Sequence, residues 1–378
     1  MTDYVSSSQS NAWIFTKEEL LSCHRRANYQ ATEFLIQQKK DPQDAPTLRP
    51  FNFAVTLRKG DNTTAVDGSS MQIDDPDETI FLTHNEEAEL VRFYAGKIPF
   101  VVGPQAQISR LRFPEKVSAT AGLLFRRFYL SNSVMMFDPK TIMIAAAFLA
   151  SKVEDTMADV RYFEEATKLM EVPVSVEEIL IAELALVSGV NFDVMCFHSF
   201  KPVLALTEDI GTYLKSEKGR NAISGSRIVT GGDLRPRYEI AKKMVDDVCV
   251  SDIPLLYSPG KIGLAALIVA NDDIQAKAKA KGNDDFPKID LYGYLDHRFE
   301  STHSKEECVT IKDQVSELAF MIRKMKDGKY GCGNHAIDMA TLKPINKKLK
   351  KCRLWGRKEK SKSKKKKRKS VDEDATRD

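Results

Sequence analysis

Closely spaced cysteines are missing from this chain. Its six, Cys23, Cys196, Cys249, Cys308, Cys332 and Cys352, are spread over 378 residues and none forms a CxxC pair. His24, His198 and His335 stand within three residues of a cysteine, but the histidines form no cluster around them. Zinc and redox-motif readings are therefore poor, and scattered cysteines in a chain this size point to a reducing compartment. Long apolar runs are also lacking. Nothing approaches the roughly 18 uninterrupted apolar residues of a membrane span. The opening "MTDYVSSSQSNAW" is too polar for a secretory signal. A phosphate-cradling glycine loop is absent, since "SPGKIG" lacks the required spacing. No His–Asp–Ser set is visible. The expectation is a chain with no catalytic residues, no metal and no cofactor.

The residues present suit an ordinary soluble fold, with 42% apolar and 29% charged side chains. The net charge of +4 hides an asymmetry. Much of the basic excess lies in "KEKSKSKKKKRKS", residues 358–370. Such a block repels itself and has nothing apolar to bury, so disorder is expected there. Lys364, Lys365, Lys366, Lys367, Arg368 and Lys369 are its densest part and read as a nuclear-import signal.

Apolar periodicity is almost entirely helical. Thr16 and Glu19 form a capping box, with Phe15 and Leu20 as a hydrophobic staple, ahead of a long amphipathic stretch. Residues 41–81 are rich in proline, glycine, aspartate and serine and read as a flexible acidic insertion. Thr83 with Glu86 and Ser175 with Glu178 form further capping boxes, and Pro139 opens the helix between them that is poorest in charge. Leu90, Tyr94, Ile98 and Val101 fall at helical spacing and predict one continuous helix.

One internal repeat organises the chain. "FDPKTIMIAAAFLAS" (Phe137–Ser151) aligns without gaps on "YSPGKIGLAALIVAN" (Tyr257–Asn271), 120 residues later. Alanines on a central helix let neighbouring backbones approach from all sides. The reading is all-α, with two tandem five-helix repeats and additional N- and C-terminal helices; the helices of the second repeat are expected at Ser199–Leu214, Arg235–Val250, Pro259–Asn271, Ile289–His297 and Lys305–Lys326. The boundaries expected are an N-terminal region 1–40, the insertion 41–81, a first repeat 82–197, a second repeat 198–330, a C-terminal helix region 331–355 and a basic tail 356–378.

Two charges stand out of place. Lys152 ends the apolar helix "IMIAAAFLAS", and Glu183 shares one helix face with Ile179, Leu186, Val187 and Val190. A carboxylate in an apolar stripe is costly unless paired. A lysine at a helix C-terminus is favoured by the dipole. The economical expectation is that the two pair, as a tether between helices or as a grip with lysine donors to spare.

These residues carry a family resemblance. "FRRFYLSNSVMMFDPKTIMIAAAFLASKVED" (residues 125–155), followed by "ILIAELALVSGVNFDV" (residues 179–194), resembles the first box of the cyclins. "SDIPLLYSPGKIGLAALIVAN", "NAWIFTKEEL" and "INKKLKKC" are similar to the second repeat and the two ends of the H-type, transcription-linked cyclins. The resemblance implies a regulatory subunit, not an enzyme, that activates a cyclin-dependent kinase of the CDK-activating type. It further implies a third assembly subunit, the transcription factor IIH core as a larger partner, and a nuclear location. Through such a complex it would serve phosphorylation of other CDKs and of the RNA polymerase II C-terminal domain. Lys152 and Glu183 match the pair that grips the kinase's regulatory helix. Leu149, Val153, Phe192 and Val194 match apolar positions that pack on it. Arg126 departs from the mitotic pattern, which has an aspartate there. The tryptophan-bearing docking motif of helix one is missing, and no R-x-x-L destruction signal occurs in the first 80 residues. The alternatives are another transcriptional cyclin (C, T, K or L type) and a transcription factor IIB-like nucleic-acid-binding core. No membrane association and no sequence-specific nucleic-acid binding are expected.

Overall fold

The computed structural model describes residues 3–40, 49–54, 80–170, 173–224, 229–282, 287–300, 303–326 and 339–355. Two helices come first, α1 (Ser8–Ala12) and α2 (Lys17–Lys40). The first repeat contains α3 (His84–Ala95), the single turn α4 (Ile98–Val101), α5 (Glu115–Ser131), α6 (Pro139–Val153), α7 (Val160–Lys168) and α8 (Val176–Gly189). The second contains α9 (Phe200–Tyr213), the short α10 (Glu217–Asn221), α11 (Gly231–Cys249), α12 (Ile253–Leu256), α13 (Pro259–Ala280), α14 (Leu291–Phe299) and α15 (Lys305–Lys326). A last helix, α16, spans Met339–Trp355. Strands β1 (Ile223–Ser224) and β2 (Lys288–Ile289) form one small antiparallel ladder inside the second repeat. The fold is all-α, with two tandem five-helix repeats flanked by terminal helices.

Each repeat is built around its alanine-rich helix. Asp138 caps α6 by accepting from the Lys140 and Thr141 amides, and Pro139 occupies the first turn, where a missing N–H costs nothing. From Ile142 to Ala150 no residue of α6 is more than 7% exposed. α5, α8, α3 and α7 pack around it. α13 is enclosed in the same way by α11, α15 and α9. Gly263 shows why small residues are needed there. A Cβ at that position would lie 3.2 Å from the Val203 amide nitrogen of α9.

Three sequence expectations shift. The helix predicted through Val101 breaks after Ala95, because Pro99 cannot donate to the Ala95 carbonyl four residues back. The helix expected from Arg235 starts earlier, at Gly231. A Thr230–Asp233 capping box supplies the extra turn ahead of Pro236. The helix expected to end near Asn271 continues to Ala280. Most of the acidic insertion lies outside the described residues, but residues 49–54 pack against α5. The Phe51 amide donates to Asn132 Oδ1 at 2.8 Å, and the Ala54 amide to Ser131 Oγ at 3.0 Å. Phe53 and Ala54 are buried, so the apolar "FNFA" segment within the insertion behaves as core.

Both terminal helices lie on the first repeat. Leu20, Cys23 and Ala27 of α2, and Leu342, Ile345 and Leu349 of α16, join its core. Lys348 pairs with Glu86 at 2.8 Å, and Arg353 pairs with Asp138, the cap of α6.

The two repeats meet along α5 and α11. Gly122 faces the Cys249 carbonyl, which would lie 3.1 Å from an added Cβ. Arg126 crosses the seam. Its Nε donates to the Val250 carbonyl at 2.8 Å and its guanidinium pairs with Asp252. Burial alone would raise the Asp252 carboxyl; Arg126 and His24 hold it below the ordinary range instead. The departure from the mitotic pattern thus serves to join the repeats. His24 is half-buried beside this pair, and burial keeps its ring below the usual imidazole range.

Candidate partner-binding site

The site lies where the last turn of α6 meets the middle of α8. Capping by Asp138 and by the Ser175–Glu178 box sets where each helix begins. Their lengths then bring Lys152, in the last turn of α6, level with Glu183 in mid-α8. Lys152 Nζ lies 2.5 Å from Glu183 Oε1. The side chains are 34% and 12% exposed, so the carboxylate is largely covered and the ammonium is not. Lys152 Nζ also stands 4.1 Å above the Phe148 ring, a cation–π contact. An ammonium has three donors, and the recorded pair with Glu183 uses one.

The apolar residues expected here differ in what they offer. Leu149 is 7% exposed and supports the surface from beneath. Val153 and Val194 are half-buried. Phe192 is 73% exposed. The structure brings all four to the ends of the two helices that carry the ion pair.

Sequence reasoning missed the outer face of α8. Leu180, Ile181 and Leu184 are 41%, 69% and 73% exposed. Met157 after α6 and Met195 after α8 are exposed as well. The signal was available: "ILIAELALV" is apolar on more than one face, and such a helix is buried on both sides or covered by a partner. Exposed apolar side chains concentrated beside a charged pair mark an interaction surface.

Backbone strain gathers at the same place. The described non-glycine residues with positive φ are Asp155 (54°), Asn191 (54°) and Phe192 (60°). For a residue as bulky as phenylalanine this conformation is an outlier. It is held by the Phe192 amide donating to the Val187 carbonyl at 2.9 Å. The turn aims the Phe192 side chain outward.

The N-terminal segment braces the irregular segment that follows this turn. Gln9 is 1% exposed; its Nε2 donates to the Phe197 carbonyl at 2.9 Å, and its Oε1 accepts from the Phe197 amide at 2.8 Å. Trp13 Nε1 donates to Asp193 Oδ2 at 3.1 Å, and Arg127 Nη1 donates to the Asp193 carbonyl at 2.9 Å. Nothing in the sequence pattern joins residues 9 and 13 to residues 193 and 197. Among the described residues no group of three His, Cys, Asp or Glu is placed to hold a metal, and no helix is long and apolar enough to cross a membrane. The basic cluster Lys364–Lys369 lies outside the described residues.

Comparison with known proteins bears on this arrangement. Residues 106–195, which include α5 to α8, match the family model described as "Cyclin, N-terminal domain". Those residues are thus similar to a cyclin N-terminal domain, and the chain is similar along most of its length to H-type cyclins. Cyclin-H1-1 of Arabidopsis thaliana is 25% identical over 354 residues, covering 93% of this chain and 89% of that protein. Cyclin CCL1 of Saccharomyces cerevisiae is 26% identical over 306 residues, covering 81% of this chain and 63% of the yeast protein. Among solved structures, a chain of the CAK complex of Chaetomium thermophilum bound to ATP-gamma-S superposes with a TM-score of 0.64 at 21% identity. It covers 93% of this chain and 88% of that one. The double repeat read from the 120-residue offset is this cyclin fold.

Proposed function

We propose that this protein binds and activates a cyclin-dependent kinase as its regulatory, non-catalytic subunit, within a CDK-activating complex. The observation that carries the reading is the half-exposed Lys152, paired with a largely covered Glu183 and bordered by exposed Leu184 and Phe192. Apolar side chains would pack on the kinase's regulatory helix. The remaining lysine donors would meet main-chain carbonyls at that helix's edge.

A protein kinase needs its strand lysine paired with a glutamate of its C-helix. A rigid surface that binds the helix-in arrangement more tightly shifts the population toward the active state. The chemistry belongs to the kinase. The resemblance to H-type cyclins supports the CDK-activating kinase as the complex, with a third assembly subunit and transcription factor IIH as the larger assembly. It also supports nuclear residence, with the 358–370 block as the import signal.

Affinity purification of the tagged full chain tests this reading. A cyclin-dependent kinase should copurify, and a Lys152→Ala chain should recover much less of it. Recovery of no kinase, with recovery of promoter DNA instead, would favour the transcription factor IIB-like alternative. Removal of residues 358–370 should lower nuclear accumulation while leaving kinase activation by the purified chain intact; unchanged accumulation would remove the import role.

A further inference from the structure

Glu154 follows α6 two residues after Lys152, and its carboxylate is held against α5 and largely covered. Thr120 Oγ1 of α5 donates to Glu154 Oε1 at 2.6 Å. Lys116, one turn earlier on α5, reaches Glu154 Oε2 at 3.0 Å and the Glu154 carbonyl at 3.1 Å. His198 Nε2 stands 2.7 Å from the same Thr120 hydroxyl. A hydroxyl has one proton to donate. Thr120 gives it to the carboxylate, so His198 must donate through Nε2, which fixes its tautomer. Burial pushes the His198 ring down to about 4, so it stays neutral at physiological pH. Thr120 is fully buried, and the Glu154 side chain is 14% exposed.

The chain of bonds therefore runs from the segment before α9, through α5, to the exit of α6. That exit is strained. Asp155 adopts a left-handed φ of 54° immediately after Glu154. Its amide returns to the Lys152 carbonyl at 3.2 Å, and the Thr156 amide to Ser151 at 2.8 Å. A strained turn persists only where its surroundings over-determine it, and Glu154 supplies that fixation next to the lysine.

We propose that Thr120 and His198 are positioning residues of the partner-binding site: through Glu154 they hold the α6 exit turn and so place Lys152. This rests on the reading of Lys152 as a kinase contact. It assigns a role in binding to residues that touch no partner, and it ties the approach to the second repeat to the grip of the first.

The test uses the full chain and the cyclin-dependent kinase that copurifies with it. Thr120→Val should weaken kinase affinity about tenfold, the size of one lost buried hydrogen-bond partner. Thr120→Ser, which keeps the hydroxyl, should restore it. In a Lys152→Ala background Thr120→Val should change affinity by less than about twofold, because its effect acts through the lysine. His198→Phe should weaken binding in the same sense, and this second variant decides the matter if Thr120→Val does not fold. Without any partner, amide exchange at residues 154–156 should accelerate in Thr120→Val. Effects of Thr120→Val and Lys152→Ala that simply add, or full affinity of the Thr120→Val chain, would overturn the positioning role. Full affinity of Lys152→Ala alone would instead overturn the underlying reading of the grip, and the proposal with it.

Discussion

The two central helices share a buried frame and end differently. At the 120-residue offset, Lys152 of the first repeat corresponds to Asp272 of the second. Asp272 is also paired with the last helix of its repeat: Arg323 Nη2 of α15 lies 2.5 Å from Asp272 Oδ2. Both repeats thus tie the matching position of the central helix to the fifth helix with an ion pair, and the signs are reversed. The tether belongs to the repeat. What is particular to the first repeat is that the cation sits on the central helix, with donors to spare, while its carboxylate is covered. In the second repeat the two side chains are 40% and 42% exposed, and α13 continues for about two turns past the pair to Ala280. The helix beside the first pair carries Ile181 and Leu184 outward. Exposed apolar side chains on α15, Val309 and Phe320, are eleven residues apart. Under the proposed reading, a shared tether with an unshared setting lets one fold unit offer a binding surface in one copy only.

The comparison extends to pH, where the largest effect is expected. Each repeat carries a carboxyl raised to about 7 by burial: Glu87 in α3 and Asp246 in α11. The folded state holds such a proton more tightly than the unfolded chain. Stability therefore falls as pH rises from the ordinary carboxylate range to about 7, and the penalty is complete above that. Glu87 accepts from Asn28 Nδ2 at 3.0 Å and Ser133 Oγ at 2.5 Å, both on Oε1, which a glutamine oxygen can replace. Glu87→Gln should stabilise the chain at pH 8 by at most about 3 kcal/mol, at about 1.4 kcal/mol per pKa unit. The gain should vanish near pH 4.5. Asp246→Asn should act in the same sense but less, since Asp246 is only half-buried. Chemical denaturation across this pH range checks both; a stability curve whose slope is unchanged by Glu87→Gln would contradict the assignment.

Next in size is the apolar surface. Leu184→Glu should weaken kinase affinity by about 2 kcal/mol with little change in melting temperature, as for a contact residue that is exposed in the free chain. Phe320→Glu, on the corresponding helix of the second repeat, should leave affinity unchanged. Equal losses from the two would mean that both repeats bind the kinase through their fifth helix. Lys152→Ala should cost about 1.5 kcal/mol of affinity, roughly tenfold, and Arg323→Ala should cost none, both read by calorimetry.

The smallest effect is on the tethers themselves. Glu183→Ala should destabilise the chain by about 1 kcal/mol, well below the roughly 3–5 kcal/mol of a fully buried pair, because water reaches Lys152. Asp272→Ala should cost less, since both partners are more exposed. If Asp272→Ala proved the costlier change, the first-repeat pair would not be the better-buried one.

Much of the fold was legible as pattern. The capping residues Thr16, Thr83 and Ser175 and the proline at 139 mark helix starts, and caps depend on residues three or four apart, which a sequence displays directly. The alanine-rich repeat was legible because a helix enclosed on all sides restricts side-chain size along its whole length. The ion pair was legible for a related reason: Lys152 and Glu183 are each out of place in their own helix. Pro99 was under-read, since apolar spacing continues through it while the hydrogen bond to Ala95 does not.

The sequence by itself determined that this protein is all-helical, that it is built twice on one plan, and that two misplaced charges would need each other. Local rules carry that information: spacing, caps, side-chain volume and the cost of burying charge. Only the tertiary structure decided that Lys152 keeps its head in water while Glu183 is covered. It alone decided that Gln9 and Trp13 brace a turn some 180 residues away, and that Arg126 joins the repeats. It also decided that a threonine and a histidine of unremarkable sequence context meet at Glu154. Those outcomes depend on which helix faces pack together, and packing brings together residues whose separation along the chain carries no signal of their contact.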